Sequence, residues 1–259
     1  MKKRGNPIIA LAQIKYYEKS DNNLEKIKKY IRLAKKKGAD IICFPESCVH
    51  KNQILHFRHH LILEIREECK KNNIWAIITD DMIINGKHHN ASILIDRKGE
   101  ISGVYKKIHL SDEAEDGVRS GKRMGVFKTD FAKIGIAVCW DLKFGKLFRR
   151  MSKAGAQIIF CPAQWMYELQ GYHARQYSDK LKKKEKELLR SLISTRAFEN
   201  LNFVALCNPV FVDIDQVAYT AIASPHKILK EIYEKEGIIV SEINLNEIKK
   251  LKKLYPANS

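Results

Sequence analysis

Short apolar runs alternate with amphipathic stretches along this chain, and that alternation restricts its fold more than any other feature. The runs Ile8–Ile14, Asp40–Phe44, Trp75–Asp80, Lys133–Cys139, Gln157–Cys161, Phe203–Cys207 and Ile238–Ile243 are rich in Ile, Val and Ala. Each has the length and composition of a buried strand. Between them the apolar period changes. Leu24, Ile27, Ile31 and Ala34 repeat at helical spacing, Asp21 or Asn22 can cap that helix with Glu25 in support, and Gly38 follows its end. The same periodicity predicts helices over Gln53–Lys71, Phe144–Ala154 and Lys180–Asn200, and a short basic helix at the end of the chain. A meander lies among them. Met82–Ile84 leads through the tight-turn pair Asn85-Gly86 to Ala91–Asp96, and Arg97-Lys98-Gly99 turns into Ile101–Lys106. Ala218–Ala223 and Leu229–Tyr233 read as a later strand pair around Ser224-Pro225-His226, and His109–Met124 reads as a polar loop. Strands alternating with helices, plus a meander, specify a layered α/β architecture. With 259 residues, no low-complexity linker and no repeat at solenoid spacing, a single domain over 1–259 is expected.

The formal net charge of +17 suits either an anionic partner or a lysine-rich solvated surface. The lysines cluster in Lys26–Lys37, Lys180–Lys186 and Lys249–Lys253, without the interleaved aromatics that a base-stacking platform requires. The charge is therefore read as solvated, and nucleic acid is not the expected partner. No apolar run is long enough to span a membrane. Met1-Lys2-Lys3-Arg4 is basic like the start of a signal peptide, but the apolar stretch after it is short and runs into Lys15 and Glu18, so it reads as the first strand of a cytoplasmic protein. The six cysteines form no disulfide framework. Cys43, Cys161 and Cys207 sit in core-like runs, Cys69 in a helical segment, and Cys48 beyond a strand where it could approach a site. No CxxC pair or Cys/His cluster has metal-ligand spacing, so neither a metal nor a cofactor is expected.

Three strands end on reactive side chains. Ile41-Ile42-Cys43-Phe44-Pro45-Glu46 delivers a carboxylate, Tyr105-Lys106-Lys107-Ile108-His109-Leu110 a lysine, and Lys133-Ile134-Gly135-Ile136-Ala137-Val138-Cys139 a thiol. Each alone has a bland reading, as a surface carboxylate, a solvated lysine or a core cysteine. Together they can form a hydrolytic site. A free thiol has a pKa of about 8.5, so it needs a neighbouring base or cation to act as a nucleophile near neutral pH. Glu46 can take the proton of Cys139 and return it to a departing amine. A lysine ammonium and the backbone N–H of Trp140 can face a developing oxyanion. Lys106 and Lys107 point to opposite faces of a strand, so only one can reach the site.

In their order and separation, Phe44-Pro45-Glu46, Tyr105-Lys106-Lys107-Ile108-His109-Leu110 and Cys139-Trp140-Asp141 resemble the nitrilase, or carbon-nitrogen hydrolase, superfamily, in its amidase-like branch. Asp96-Arg97-Lys98-Gly99, Ala154-Gly155-Ala156, Arg196-Ala197-Phe198-Glu199-Asn200 and Ala223-Ser224-Pro225 are supporting matches, and the resemblance runs over nearly the whole chain. It implies a four-layer αββα sandwich with two mixed sheets, and subunits paired through outer helices into a homodimer or higher homo-oligomer. The family's Tyr-x-Lys pattern selects Lys107. The resemblance also implies a second glutamate in the loop after the lysine. Glu113 and Glu115 are the candidates, and counting back from Ser120-Gly121 favours Glu115 although the spacing is about one residue short. The family often has a histidine at the position of His109 without using it as the base. Where the family often has Phe-Pro-Glu, this chain has Phe144-Gly145-Lys146, which leaves Lys143 and Lys146 near the mouth of the site. Trp140 and Trp165 are candidates to line a substrate pocket. The expected activity is cysteine-dependent hydrolysis of a small linear amide or N-carbamoyl compound through a thioester, with release of ammonia. Nitrile hydrolysis on the same residues is the alternative chemistry, against which Asp141 argues, and a non-catalytic family member or a basic surface binder is the alternative class.

Overall fold

The structure is a computed structural model, and it describes residues 5–15, 20–50, 53–111, 115, 117–166, 179–210 and 217–255. In chain order the elements are β1 (Ile8–Gln13), α1 (Ser20–Lys36), β2 (Ile41–Glu46), α2 (His60–Asn72), β3 (Trp75–Ile84), β4 (Lys87–Ile95), β5 (Ile101–Lys106), β6 (Gly125–Lys128) and β7 (Lys133–Ile136). A short 3-10 turn, Cys139–Lys143, leads into α3 (Gly145–Lys153), β8 (Ile158–Pro162), α4 (Asp179–Asn200), β9 (Phe203–Cys207), β10 (Tyr219–Ala223), β11 (Ile228–Tyr233), β12 (Gly237–Glu242) and α5 (Leu245–Leu254).

The strands form two mixed sheets, in the orders β12-β1-β2-β3-β4-β5 and β11-β10-β9-β8-β7-β6. One pattern recurs. Strands β1, β2 and β3 run parallel and are joined by α1 and α2, and β7, β8 and β9 run parallel and are joined by α3 and α4. Parallel neighbours need such crossovers, whereas the antiparallel pairs β3–β4 and β10–β11 need only tight turns. The last strand, β12, returns to the first sheet beside β1.

Strand alternation divides the first sheet between two cores. Ile9, Leu11, Ile41, Cys43 and Ile77 join the cluster that contains the second sheet together with Leu147, Phe148, Leu189 and Ile193 of α3 and α4. Their neighbours Ala10, Ala12, Ile42, Phe44 and Ile78 pack instead with Ile27 and Ile31 of α1 and Leu61 and Ile65 of α2. The layers are therefore helices, sheet, sheet, helices, the α/β sandwich that the sequence leads one to expect. No described helix is long and apolar enough to cross a membrane.

Three elements differ from the sequence expectation. The helix expected over Gln53–Lys71 begins only at His60. Leu55 instead gives its N–H to the Asp81 carbonyl and accepts from the Ile83 N–H, so this stretch lies along β3, and the His59 side chain caps the helix that follows. Met82–Ile84 is not a separate strand but continues β3 up to the Asn85-Gly86 turn. The strand β6 has no counterpart in the sequence reading. Its four residues pair with β7 and place Phe127 opposite the first sheet.

That contact depends on a glycine. A Cβ on Gly103 of β5 would lie 2.5 Å from the Phe127 ring, so the two sheets close here only because the side chain is absent. Gly103→Ala is expected to destabilise by about 1–3 kcal/mol and to lower the thermal midpoint by roughly 3–9 °C. An unchanged midpoint in a melting experiment would mean that Phe127 repacks without strain.

Candidate active site

Glu46 ends β2 and Lys107 directly follows β5, on the same sheet. Both are almost fully buried, at 4% and 2% exposure. The Lys107 Nζ lies 3.1 Å from Glu46 Oε1 and 2.8 Å from Glu115 Oε2, so one ammonium bridges two carboxylates. A second donor bridges the same pair. Asn90 Nδ2, on β4, donates to Glu46 Oε1 at 2.6 Å and to Glu115 Oε1 at 3.0 Å. The Ser111 N–H also reaches Glu115, and the Gln164 N–H beyond β8 donates to Glu46 Oε2 at 2.9 Å. The Lys107 backbone is fixed from both sides, by its N–H to the Asn90 carbonyl and its carbonyl to the Gly121 N–H. A Cβ on Gly121 would come within 2.1 Å of the Lys106 carbonyl oxygen, so this close approach needs glycine.

Cys139 enters from the second sheet. β7 ends at Ile136, three residues earlier than the alternation predicts, and the chain turns into the 3-10 segment with Cys139 at φ 47°. Left-handed backbone is costly for a non-glycine residue, and such strain concentrates at functional sites. The fully buried Asp141 holds the turn in place. Its Oδ2 accepts from the Val138 N–H at 3.0 Å and the Tyr105 hydroxyl at 2.6 Å. Its Oδ1 accepts from the His109 N–H at 3.0 Å and lies 2.7 Å from His109 Nδ1. Tyr105 and His109 flank Lys107 in sequence, and Val138 flanks Cys139. One carboxylate thus ties the lysine segment of one sheet to the cysteine turn of the other.

The electrostatics follow from burial. Burial works against the Lys107 ammonium, but the carboxylates of Glu46 and Glu115 outweigh it and hold the proton more tightly than usual. Burial pushes the Cys139 thiol well above its ordinary range, and the charge of Glu46 pushes it further, against smaller opposing effects of Lys107 and the Gln164 N–H. Cys139 therefore rests as a thiol at neutral pH. Burial and the Asp141 charge likewise push the Tyr105 phenol up, so it stays a donor.

The structure brings Glu46, Lys107 and Glu115 into one ion cluster, with Cys139 in electrostatic contact with it. Lys106, adjacent in sequence, lies outside the cluster and is only partly buried. Trp140 and Trp165 pack together with ring centroids 5.6 Å apart, and Lys143 Nζ sits 3.7 Å over the Trp140 ring. Lys146 is exposed. His109 is held by Asp141 and stacks on Phe144 at 3.6 Å, so its ring is committed away from Cys139. Cys48 is fully buried. Glu113 lies outside the described residues. Among the described residues, no group of His, Cys, Asp and Glu is arranged to hold a metal ion. Asn90 and Gln164 escaped the sequence reading. An asparagine after two histidines has no local signature, and Gln164 acts through its backbone.

A family model described as carbon-nitrogen hydrolase matches residues 8–253. A protein named probable nitrilase from Schizosaccharomyces pombe is 30% identical over 171 residues, which is 64% of this chain and 57% of that protein, so the match spans less than two thirds of its length. The 2-oxoglutaramate amidase of Bacillus subtilis is 24% identical over 254 residues, covering 93% of this chain and 91% of that one. In fold, the crystal structure of a carbon-nitrogen hydrolase from Helicobacter pylori superposes with a TM-score of 0.86 at 18% identity, over 97% of this chain and 94% of that one.

The turn after Glu46 has its own support. Asp80 of β3, 1% exposed, accepts from the N–H groups of Val49, His50 and Asp81 at 2.9, 3.3 and 3.0 Å, just beyond the left-handed Ser47. Burial outweighs these donors and pushes the Asp80 carboxyl up to about 8. Unfolded, an aspartate titrates near 3.9. Between about pH 4 and pH 8 the folded chain holds a proton that the unfolded chain has lost, so this residue makes stability fall as pH rises. Asp80→Asn cannot titrate. It is expected to shrink the fall in thermal midpoint between about pH 5 and pH 8.5 by roughly 3 °C or more. An unaltered slope would show that Asp80 titrates in the ordinary range.

Proposed function

We propose that this chain, which belongs to the carbon-nitrogen hydrolase family, is a cysteine-dependent amidase that releases ammonia from a small linear amide or N-carbamoyl compound. The buried Lys107 ammonium, bound at 3.1 and 2.8 Å to Glu46 and Glu115, carries this reading. Lys107 supplies a fixed positive charge and Glu46 a carboxylate base beside a strained thiol. In this reading a small substrate binds where the strand ends meet, beside this cluster.

In this reading Cys139 attacks the amide carbon as its proton passes to Glu46. The resulting oxyanion forms against Lys107 and the Trp140 N–H. A lysine has three N–H donors, two of which serve the carboxylates, so one remains for the substrate. Each aligned donor contributes about 3 kcal/mol in the transition state. Glu46 returns the proton to the nitrogen, the C–N bond breaks and ammonia leaves, with a thioester on Cys139. Glu46 then takes a proton from the water that attacks the thioester, the C–S bond breaks, and the thiol and a carboxylic acid are regenerated. From an N-carbamoyl substrate that acid is a carbamic acid, which loses carbon dioxide to give the amine. Glu115 holds Lys107, and Trp140 and Trp165 line the pocket. No metal takes part. We further read the protein as one hydrolase domain over 1–259 that works in the cytoplasm, in keeping with its six free cysteines. Pairing into a homodimer fits the exposed Leu188 and Phe198 of α4.

The test is ammonia release from a panel of ω-amides, N-carbamoyl amino acids, carbamoyl amines, aliphatic amides and nitriles. Cys139→Ala is expected to abolish release and to keep the thermal midpoint within about 3 °C, roughly 1 kcal/mol. Substantial residual turnover would remove Cys139 from the nucleophile's role. Lys107→Ala is expected to lower kcat/KM by about 100- to 1,000-fold, far more than Lys106→Ala, and the reverse order would overturn the choice of lysine. Release is also expected to be insensitive to EDTA.

A further inference from the structure

Glu46 and Glu115 are bridged twice, by Lys107 on one side and by Asn90 on the other. We propose that Asn90 is a positioning residue for the base: by giving one amide hydrogen to Glu46 and the other to Glu115, it keeps both carboxylates ionised around a single ammonium. This rests on the hydrolytic reading above and assigns a function to a residue outside its chemistry.

Two neighbouring carboxylates repel, and such pairs tend to share a proton instead of ionising together. Lys107 brings one positive charge to two negative ones. A pair that shared a proton would leave Glu46 unable to take another from Cys139. A second cation would also stop the sharing, but it would neutralise the cluster that has to receive a proton from Cys139. An amide nitrogen offers two hydrogens to two different acceptors and no proton that can be lost. The same residue also spaces the lysine, because the Asn90 carbonyl accepts the Lys107 N–H at 2.9 Å.

The remaining atom of the amide supports this assignment. Asn90 is 5% exposed, and its Oδ1 is buried without a hydrogen-bond partner. An unpaired buried carbonyl destabilises a fold, so an apolar residue would serve the core better. The side chain is explained by its donors. Other titratable groups facing the cluster, among the described residues, are Cys139, Cys161 on β8, and Asp81 on β3 with its partner His88 on β4. None of them donates to both carboxylates.

The test is kcat/KM against pH for the panel amide that the wild-type protein cleaves fastest, alongside thermal midpoints. Asn90→Ala removes both donors, and Asn90→Ser, nearly the same size, keeps one. The acid limb of the profile is expected to move up by about one pH unit in Asn90→Ala and by less in Asn90→Ser, with kcat/KM at pH 7 down about tenfold or more in Asn90→Ala. Asn90→Asp keeps the shape and brings a third carboxylate, and its acid limb is expected to move furthest. If the alanine and serine variants share an unmoved acid limb while the wild-type protein is active, this inference is overturned and the hydrolase reading stands. Should those two variants fail to fold, Asn90→Asp is judged by the same criterion. Silence of the wild-type protein across the whole panel overturns the hydrolase reading and this inference with it.

Discussion

A buried ammonium ion sets the terms for the rest of this molecule. Lys107 is 2% exposed, and removing a charge of that kind from water costs several kcal/mol unless partners replace the solvent. The partners come from distant parts of the chain: Glu46 from the end of β2, Glu115 from the loop after β5, and Asn90 from β4 through Glu46 and Glu115. They can meet only where the strands of the first sheet end together under the cover of the second. The parallel strand β2 brings Glu46 to that edge, and the antiparallel meander β3–β4–β5 returns both the start of β4, with Asn90, and the end of β5, just before Lys107, to it.

The second sheet must then deliver Cys139 to the same edge, and sheet packing alone is a loose guide for that. Apolar side chains between sheets are non-directional and tolerate small slips. Asp141 is directional. Its four donors come from Val138 beside the cysteine and from Tyr105 and His109 on either side of the lysine. The position of the turn relative to Lys107 is thus fixed by hydrogen bonds across the interface, while the apolar core supplies the bulk of the burial around it.

Much of this architecture was legible in the sequence, for a local reason. A short, wholly apolar run such as Phe203–Cys207 announces its strand within its own five residues, and its observed bounds are those the composition suggests. The choice between Lys106 and Lys107 was likewise legible from strand alternation and the Tyr-x-Lys pattern, and only Lys107 reaches the ion cluster. What escaped depends on distant partners. Leu55 falls among the apolar positions of the helix expected over Gln53–Lys71, yet its peptide groups bond to β3, which the sequence pattern cannot register. β6 is four residues long among polar neighbours and exists because β7 offers it an edge. The left-handed backbone at Cys139 belongs to a turn whose holding carboxylate is bonded to residues more than thirty positions away. Asn90 is an ordinary strand residue until Glu46 and Glu115 arrive on either side of its amide.

The charges of the cluster decide what kind of nucleophile the thiol can be. Glu46 and Glu115 contribute two negative charges and Lys107 one positive, so Cys139 faces a net negative site from within a buried position that already disfavours its thiolate. A resting ion pair of the cysteine–histidine kind would need an imidazolium beside the sulfur, and His109 is committed to Asp141 and Phe144. Forming a free thiolate would add a second net negative charge to a buried site. Passing the proton from Cys139 to Glu46 leaves the total charge unchanged. In the proposed reaction the nucleophile therefore arises only as the base takes its proton. The charge that then grows on the substrate oxygen is met by the third N–H of Lys107, already oriented by its two carboxylates.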